Sequence, residues 1–210
     1  PHVSGKQIAA AAELMTSAQS PLIMVGGGAW QAGEDLTALA EQCGALVVSS
    51  TAGKGIVADD HPLSLSASTV RPEVLGMLHE ADVILAVGTE LSETDSFVER
   101  MDIRGQVIRV DIDPAKINDF YPATLGIVAD ATSAMTQLRA ALAGHASAGR
   151  AAAEQRATQI RAAISAAMTA TERQHAAVLE ALAAVAPDDL LWSGDACQLV
   201  YTGAFAMPIR

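Results

Sequence analysis

Three apolar runs end in glycine-punctuated turns, Val25-Gly26-Gly27-Gly28, Ser50-Thr51-Ala52-Gly53-Lys54-Gly55 and Val87-Gly88-Thr89, and a fourth ends in the acidic run Val110-Asp111-Ile112-Asp113-Pro114. Glycine lets the backbone turn sharply where a strand stops and leaves N–H groups that can face an anion. A carboxylate at the end of a later strand can accept from ribose hydroxyls. Together these residue types suit a nucleotide or another phosphate ester. Each also has a purely structural use. Gly26-Gly27-Gly28 departs from the G-x-G-x-x-G spacing because Gly33 comes too late, and a glycine turn also serves close packing of helix on strand. Asp113 is as well suited to capping a helix. Lys54, between two glycines, is either an anion partner or a solvated loop cation.

Other chemistries find less support. Glu90, Glu93, Asp95 and Glu99 cluster in sequence, but no His or Cys joins them at ligand spacing, so they read as a solvated loop. The five histidines form no HxH or HxxxH pair, which leaves no ready metal site or base. No G-x-S-x-G elbow is present, and Gly53-Lys54-Gly55 lacks the lead and the Ser/Thr of a P-loop.

The elements that would hold these turns follow from periodicity. Helical spacing over 6–17 precedes a buried strand over 22–25; a helix over 34–43, stopped by Gly44, precedes a strand over 45–49. That is a βαβ unit, hence a parallel pair with a right-handed crossover. Residues 51–70 have no periodicity and read as a long binding loop. A helix begins at Pro72, a strand covers 81–87, and a loop covers 89–105. A strand over 106–111 leads into a short helix from Asp113-Pro114 to about Tyr121-Pro122. A strand over 125–128 follows, and Asp130 caps a helix over 131–143. The Ala-rich stretch 150–186 is helical with a break near Thr169-Ala170-Thr171, and 190–193 reads as a further strand. The fold class is α/β, a doubly wound, mostly parallel Rossmann-like sheet followed by Ala-rich helices. Residues 1–146 form that domain, 147–171 a helical linker, and 172–210 the truncated start of another domain.

The chain has 210 residues, enough for a sizeable core. A net charge of -11 argues against nucleic acid and anionic membranes as partners. Cys43 and Cys197 have neither pairing nor metal spacing, as expected of reduced thiols in a cytoplasmic protein. No uncharged apolar stretch reaches the length of a membrane span, and no basic segment precedes an apolar one at the N-terminus. A start without Met and an end soon after a new strand suggest a piece of a longer polypeptide.

Residues 50–65 (from Ser50-Thr51-Ala52-Gly53-Lys54-Gly55 through Asp59-Asp60-His61-Pro62), 81–91 (with Val87-Gly88-Thr89-Glu90), 110–118 (Val110-Asp111-Ile112-Asp113-Pro114 onward) and 128–131 (Val128-Ala129-Asp130-Ala131) occur in the order of one family. In these motifs the chain resembles the central domain of thiamine-diphosphate-dependent enzymes of the acetolactate synthase type, over about residues 4 to 143. The resemblance implies an enzyme with a pyrimidine-binding domain before this one and a diphosphate-binding domain after it. It also implies thiamine diphosphate and Mg²⁺ as cofactors, a 2-oxo acid as substrate, and a dimeric or tetrameric homo-oligomer. Residues 172–210 would begin the diphosphate-binding domain, with Gln198 approaching the diphosphate.

The resemblance leaves the central domain mainly architectural and this chain inactive alone, since the activating glutamate and the metal motif lie in other parts of the family's sequence. Some members bind FAD in the central domain. Here Ser66-Ala67-Ser68-Thr69 replaces the family's Gly-Met-His-Gly, and the arginine expected soon after Gly88-Thr89 is absent, which argues against FAD. A standalone FAD- or ADP-binding module is the alternative. The variants Gly88-Thr89-Glu90-Leu91-Ser92 and Gln198-Leu199-Val200-Tyr201 look closer to simple decarboxylases, such as 5-guanidino-2-oxopentanoate decarboxylases, than to acetolactate synthase. Candidate cofactor-binding residues are therefore Gly26, Gly27, Gly28, Thr51, Ala52, Gly53, Lys54, Gly88, Thr89, Asp111, Ile112, Asp130 and Gln198.

Overall fold

Strands apolar on both sides must be covered on both sides, and that requirement organises the domain. The structure, a computed structural model, describes residues 3–187 and 192–209. Five strands, β1 (Pro21–Val25), β2 (Leu46–Ser49), β3 (Val83–Val87), β4 (Gln106–Asp111) and β5 (Leu125–Val128), form one parallel sheet in the order β2-β1-β3-β4-β5. Every residue of β1, β2 and β3 is buried. Val25 pairs with Ser49 and with Val87, and Val87 with Val110, so the carboxyl ends of the four central partners lie level.

The helices are α1 (Gly5–Ser17), α2 (Gly33–Cys43), α3 (Pro72–Glu80), α4 (Glu93–Ser96), α5 (Ala131–Ala141), α6 (Arg150–Ala167), α7 (Ala170–Val185) and α8 (Gln198–Ala206). α1, α2 and α5 pack as one layer and α3 with α6 as the other, α6 also meeting α2 and β2. Local chemistry sets the ends as expected. Gly44 turns left-handed at φ 63° after α2, Pro72 opens α3, and Asp130 accepts from Ser133 N–H at 3.0 Å to start α5. The break between α6 and α7 is a capping box at Thr169 and Glu172. Cys43 is buried, which pushes its thiol up to about 11, and Cys197 is exposed; both are free.

Three expectations need correction, and one segment takes on a fuller description. The helix expected from Asp113 to about Tyr121 is a single 3₁₀ turn, Pro114–Lys116, because Arg109 draws Asp119 and the Tyr121 carbonyl inward and Asn118 Oδ1 accepts from Ala123 N–H. The loop after β3 contains the one-turn α4, capped by Ser92. Residues 147–171, expected to be a helical linker, carry α6, whose Ala157, Ile160 and Ile164 are buried in the same core as the strands. Of the strand expected over 190–193, Leu190 and Leu191 lie outside the described residues, and Trp192 and Ser193 are in no strand.

Ile160→Ala should therefore destabilise the chain by about 2–5 kcal/mol in urea unfolding, the cost of a core cavity. A linker helix would lose less than about 0.5 kcal/mol.

Candidate functional site

The strand order reverses direction between β1 and β3, and in open α/β sheets that is where loops part to leave a crevice at the carboxyl edge. A cavity of about 750 Å³ lies there. It is lined by Gly26, Gly27 and Gly28 after β1, Thr51 and Ala52 after β2, Gly88 and Thr89 after β3, Asp111 and Ile112 after β4, and Asp130 after β5. Ten of the thirteen candidate residues thus converge. Gly53, Lys54 and Gln198 do not line it.

The glycines hold this edge together by contact. A Cβ on Gly26 would stand 2.1 Å from the Gly88 carbonyl oxygen, and Gly88 itself has φ +56°. The triglycine turn is thus packed directly against the turn after β3. Two of its three N–H groups are engaged within the protein, Gly26 donating to Val87 O at 2.9 Å and Gly28 to Gly88 O at 3.1 Å, and the 3₁₀ turn that follows closes with Ala29 donating to Gly26 O at 3.0 Å and Trp30 to Gly27 O at 3.3 Å. The next turn is closed in the same way, with Gly53 N–H bonded to Ser50 Oγ at 3.1 Å and Thr51 N–H to Asp95 Oδ1 at 3.0 Å.

The crevice is acidic. Glu90, Asp95, Asp111, Asp113 and Asp130 line it against a single lining cation, Lys116, whose ammonium is bonded to Glu90 at 3.1 Å. That hydrogen bond raises the Lys116 pKa. The carboxylates work locally as caps: Asp111 accepts from Asp113 N–H at 2.9 Å, Asp113 from Ala115 N–H at 2.9 Å, and Asp130 from Ser133 N–H. Anionic phosphates meet five carboxylates and one already paired cation here, so the crevice's charge does not suit FAD or ADP. Among the described residues no group of three His, Cys, Asp or Glu side chains is placed to hold a metal ion.

Sequence reading missed Arg109. It lies on β4 at 1% exposure and donates to Asp119 Oδ1 at 2.5 Å, Tyr121 O at 3.2 Å and Thr89 O at 3.1 Å, tying the loop after β3 to the loop after β4. Its signal was an arginine inside the apolar run Val107-Ile108-Arg109-Val110, which a buried strand tolerates only with full hydrogen bonding.

Lys54 faces the other way. Its Nζ is 2.5 Å from Asp59 Oδ2 and 2.6 Å from Ser66 Oγ, and burial pushes its pKa down while Asp59 opposes that shift. The same loop grips the last helices. Asp59 N–H donates to Ile209 O at 2.9 Å, Ile209 N–H donates to Asp59 Oδ2 at 2.8 Å, and Ser66 Oγ donates to Ala204 O at 3.2 Å. Arg71 bonds Glu172 at 3.0 Å and lies 4.9 Å over the Phe205 ring. The long segment read as a binding loop is therefore divided: its first turn lines the crevice and the remainder seats α7 and α8. Gln198 is exposed at the start of α8, next to the Asp195 carboxylate that accepts from Ala196 N–H at 2.7 Å.

Against known proteins, residues 8–138 match the family described as thiamine pyrophosphate enzyme, central domain. That span is more than half of the chain. The chain belongs to the thiamine pyrophosphate enzyme family. It is 42% identical over 201 residues, 96% of its length, to the probable 2-ketoarginine decarboxylase AruI of Pseudomonas aeruginosa, covering 36% of that protein. It is 33% identical to the acetolactate synthase of Mycobacterium bovis over 69% of this chain and 24% of that one. A probable acetolactate synthase large subunit of Methanocaldococcus jannaschii is likewise 33% identical, over 65% of this chain and 24% of that one. The chain thus spans about a third or less of the curated relatives it matches. A standalone FAD- or ADP-binding module finds no support in these relatives or in the acidic crevice of this thiamine pyrophosphate enzyme domain.

Gly26→Ala should cost about 1–3 kcal/mol in urea unfolding, because the two loops must separate to admit one methyl group. An unchanged midpoint would show that the loops are not in contact. The seat of α7 has a pH signature. Glu172 is held below its ordinary value of 4.5 chiefly by the Thr169 backbone N–H, then by the Thr169 hydroxyl and Arg71. A depressed carboxyl stabilises the fold above 4.5 and loses that contribution as pH falls through its folded value. Glu172→Gln should therefore flatten the loss of stability below about pH 4.5, read by urea titrations at stepped pH; parallel curves would contradict this.

Proposed function

We propose that this chain is the central part of a thiamine-diphosphate-dependent 2-oxo acid decarboxylase whose substrate is of the 2-ketoarginine type. The observation that carries the reading is the reach of the resemblance. The likeness to the probable 2-ketoarginine decarboxylase runs along 96% of the chain, through α6, α7 and α8, whereas the likeness to the acetolactate synthases covers 65% to 69%. A synthase-type carboligase is the second reading, favoured by those shorter matches.

Within such an enzyme the chain contributes placement. When bound, thiamine diphosphate supplies the electron sink that decarboxylation requires. The crevice at the carboxyl edge, acidic and with its turns closed, does not suit the diphosphate. Gln198 does: its side-chain amide carries N–H donors, it is exposed, and it opens α8, so it would approach the diphosphate while the loop of Lys54, Asp59, Ser66 and Arg71 fixes that helix. Mg²⁺ belongs to the same proposed enzyme as the partner of the diphosphate, and among the described residues no group of three His, Cys, Asp or Glu side chains is placed to hold it. No helix among the described residues is long and apolar enough to cross a membrane, and a cytoplasmic enzyme is the reading we favour.

The test is an assay of the full-length protein with thiamine diphosphate and Mg²⁺, offering 2-ketoarginine and pyruvate in parallel. Release of carbon dioxide from 2-ketoarginine at a kcat/KM at least roughly tenfold above that for pyruvate is expected, since a guanidinium-binding site discriminates strongly against a substrate lacking that group. Acetolactate formation from pyruvate with no turnover of 2-ketoarginine would favour the carboligase.

A further inference from the structure

Phe97 ends the one-turn helix α4 in the left-handed region, at φ 55° and ψ 23°, where a side chain is strained and glycine sits freely. Its surroundings hold it there. The Phe97 N–H donates to Glu93 O at 2.7 Å, Ser92 caps the turn, Ser96 is buried, and Asp95 Oδ1 accepts from Thr51 N–H at 3.0 Å. The ring that this backbone presents is 63% exposed, so burial in the core does not account for the strain. What the ring meets is Tyr201, edge to face, with centroids 6.1 Å apart and planes at 80°.

Tyr201 lies on α8 one turn after Gln198, and positions three apart share a helix face. Its side chain is exposed like that of Phe97. The rest of α8 and the residues after it are fixed by other means: the Thr202 hydroxyl is 2.9 Å from His175 Nδ1, Ala204 O accepts from Ser66, Phe205 lies beneath Arg71, and Ile209 exchanges two hydrogen bonds with Asp59. Those contacts hold residues 202 to 209. The Phe97–Tyr201 pair is the tie one step nearer the start of the helix, on the face that carries Gln198. A strained backbone that aims an exposed ring at that turn has the pattern of a positioning element rather than of a core residue.

We propose that Phe97 is a positioning residue: bracing Tyr201 from the loop after β3, it fixes the first turn of α8 and with it the Gln198 side chain that approaches the diphosphate. The proposal rests on the reading of Gln198 given above. The turn of α4 is thereby a brace, joined to the long loop at Thr51 through Asp95 and to the last helix at Tyr201 through Phe97.

Backbone strain and positioning make opposite demands on this residue, which separates a brace from ordinary packing. Phe97→Gly relieves the backbone and deletes the ring. In the 210-residue chain its urea midpoint should equal or exceed that of the parent, while hydrogen exchange at the amides of 200–203 becomes about three- to tenfold faster, the worth of one aromatic pair. In the full-length protein with Mg²⁺, calorimetric titration should show the affinity for thiamine diphosphate lowered by a similar factor. Phe97→Tyr, which keeps the ring, should match the parent in exchange and in affinity, and Gln198→Ala should weaken thiamine diphosphate directly. A urea midpoint that falls together with the affinity would overturn the proposal, as would exchange or affinity unaffected by Phe97→Gly while Gln198→Ala weakens binding. Unchanged affinity in Gln198→Ala would instead overturn the reading of Gln198, and the proposal with it.

Discussion

The contact between the turn after β1 and the turn after β3 constrains the whole carboxyl edge. A parallel sheet in the order β2-β1-β3-β4-β5 sends the connections from β1 and β3 in opposite directions, which ordinarily opens a ligand crevice. Here the two turns touch backbone to backbone at Gly26 and Gly88, and the Gly26, Gly28 and Gly88 amides donate to carbonyls of the chain. Arg109 extends the lock to the next connection through Thr89 O and Tyr121 O.

Electrostatics agree with sterics. The carboxylates over that floor, Asp111, Asp113 and Asp130, cap turns and helices, and they make the crevice hostile to a diphosphate. The cationic groups lie elsewhere. Lys54 is buried against Asp59, Arg71 against Glu172 and Phe205, and Arg161 and Arg173 line a cavity between the sheet domain and the last helices. The acidic edge of the sheet thus carries a net negative lining, whereas at the seat of α7 and α8 Lys54 and Arg71 pair with Asp59 and Glu172.

Much of this was legible in the residues. Uniformly apolar runs gave the strands, Gly44, Pro72 and Asp130 gave the helix ends, and glycine at the strand ends gave the crevice and ten of its lining residues. What escaped depended on distant partners. Gly26-Gly27-Gly28 reads identically whether its amides face a phosphate or the carbonyls of residues 87 and 88, because those carbonyls come from a strand some sixty positions away. Lys54 looked like a free cation because Asp59 and Ser66 approach it only once the loop has folded back. The helix expected after Asp113 had local capping in its favour, yet a buried guanidinium needing acceptors drew Asp119 and Tyr121 O out of it. Ala-rich helices carry weak positional signals, so α6 read as a tether until Ile160 and Ile164 were seen in the core.

The central claim is that the turns of the carboxyl edge pack on one another and that the crevice above them carries a negative field. Calorimetric titration of ADP and FAD into the chain tests it most directly. The account predicts heats no larger than dilution for both ligands at neutral pH; saturable binding of either, abolished by blocking the crevice at Ile112, would contradict it.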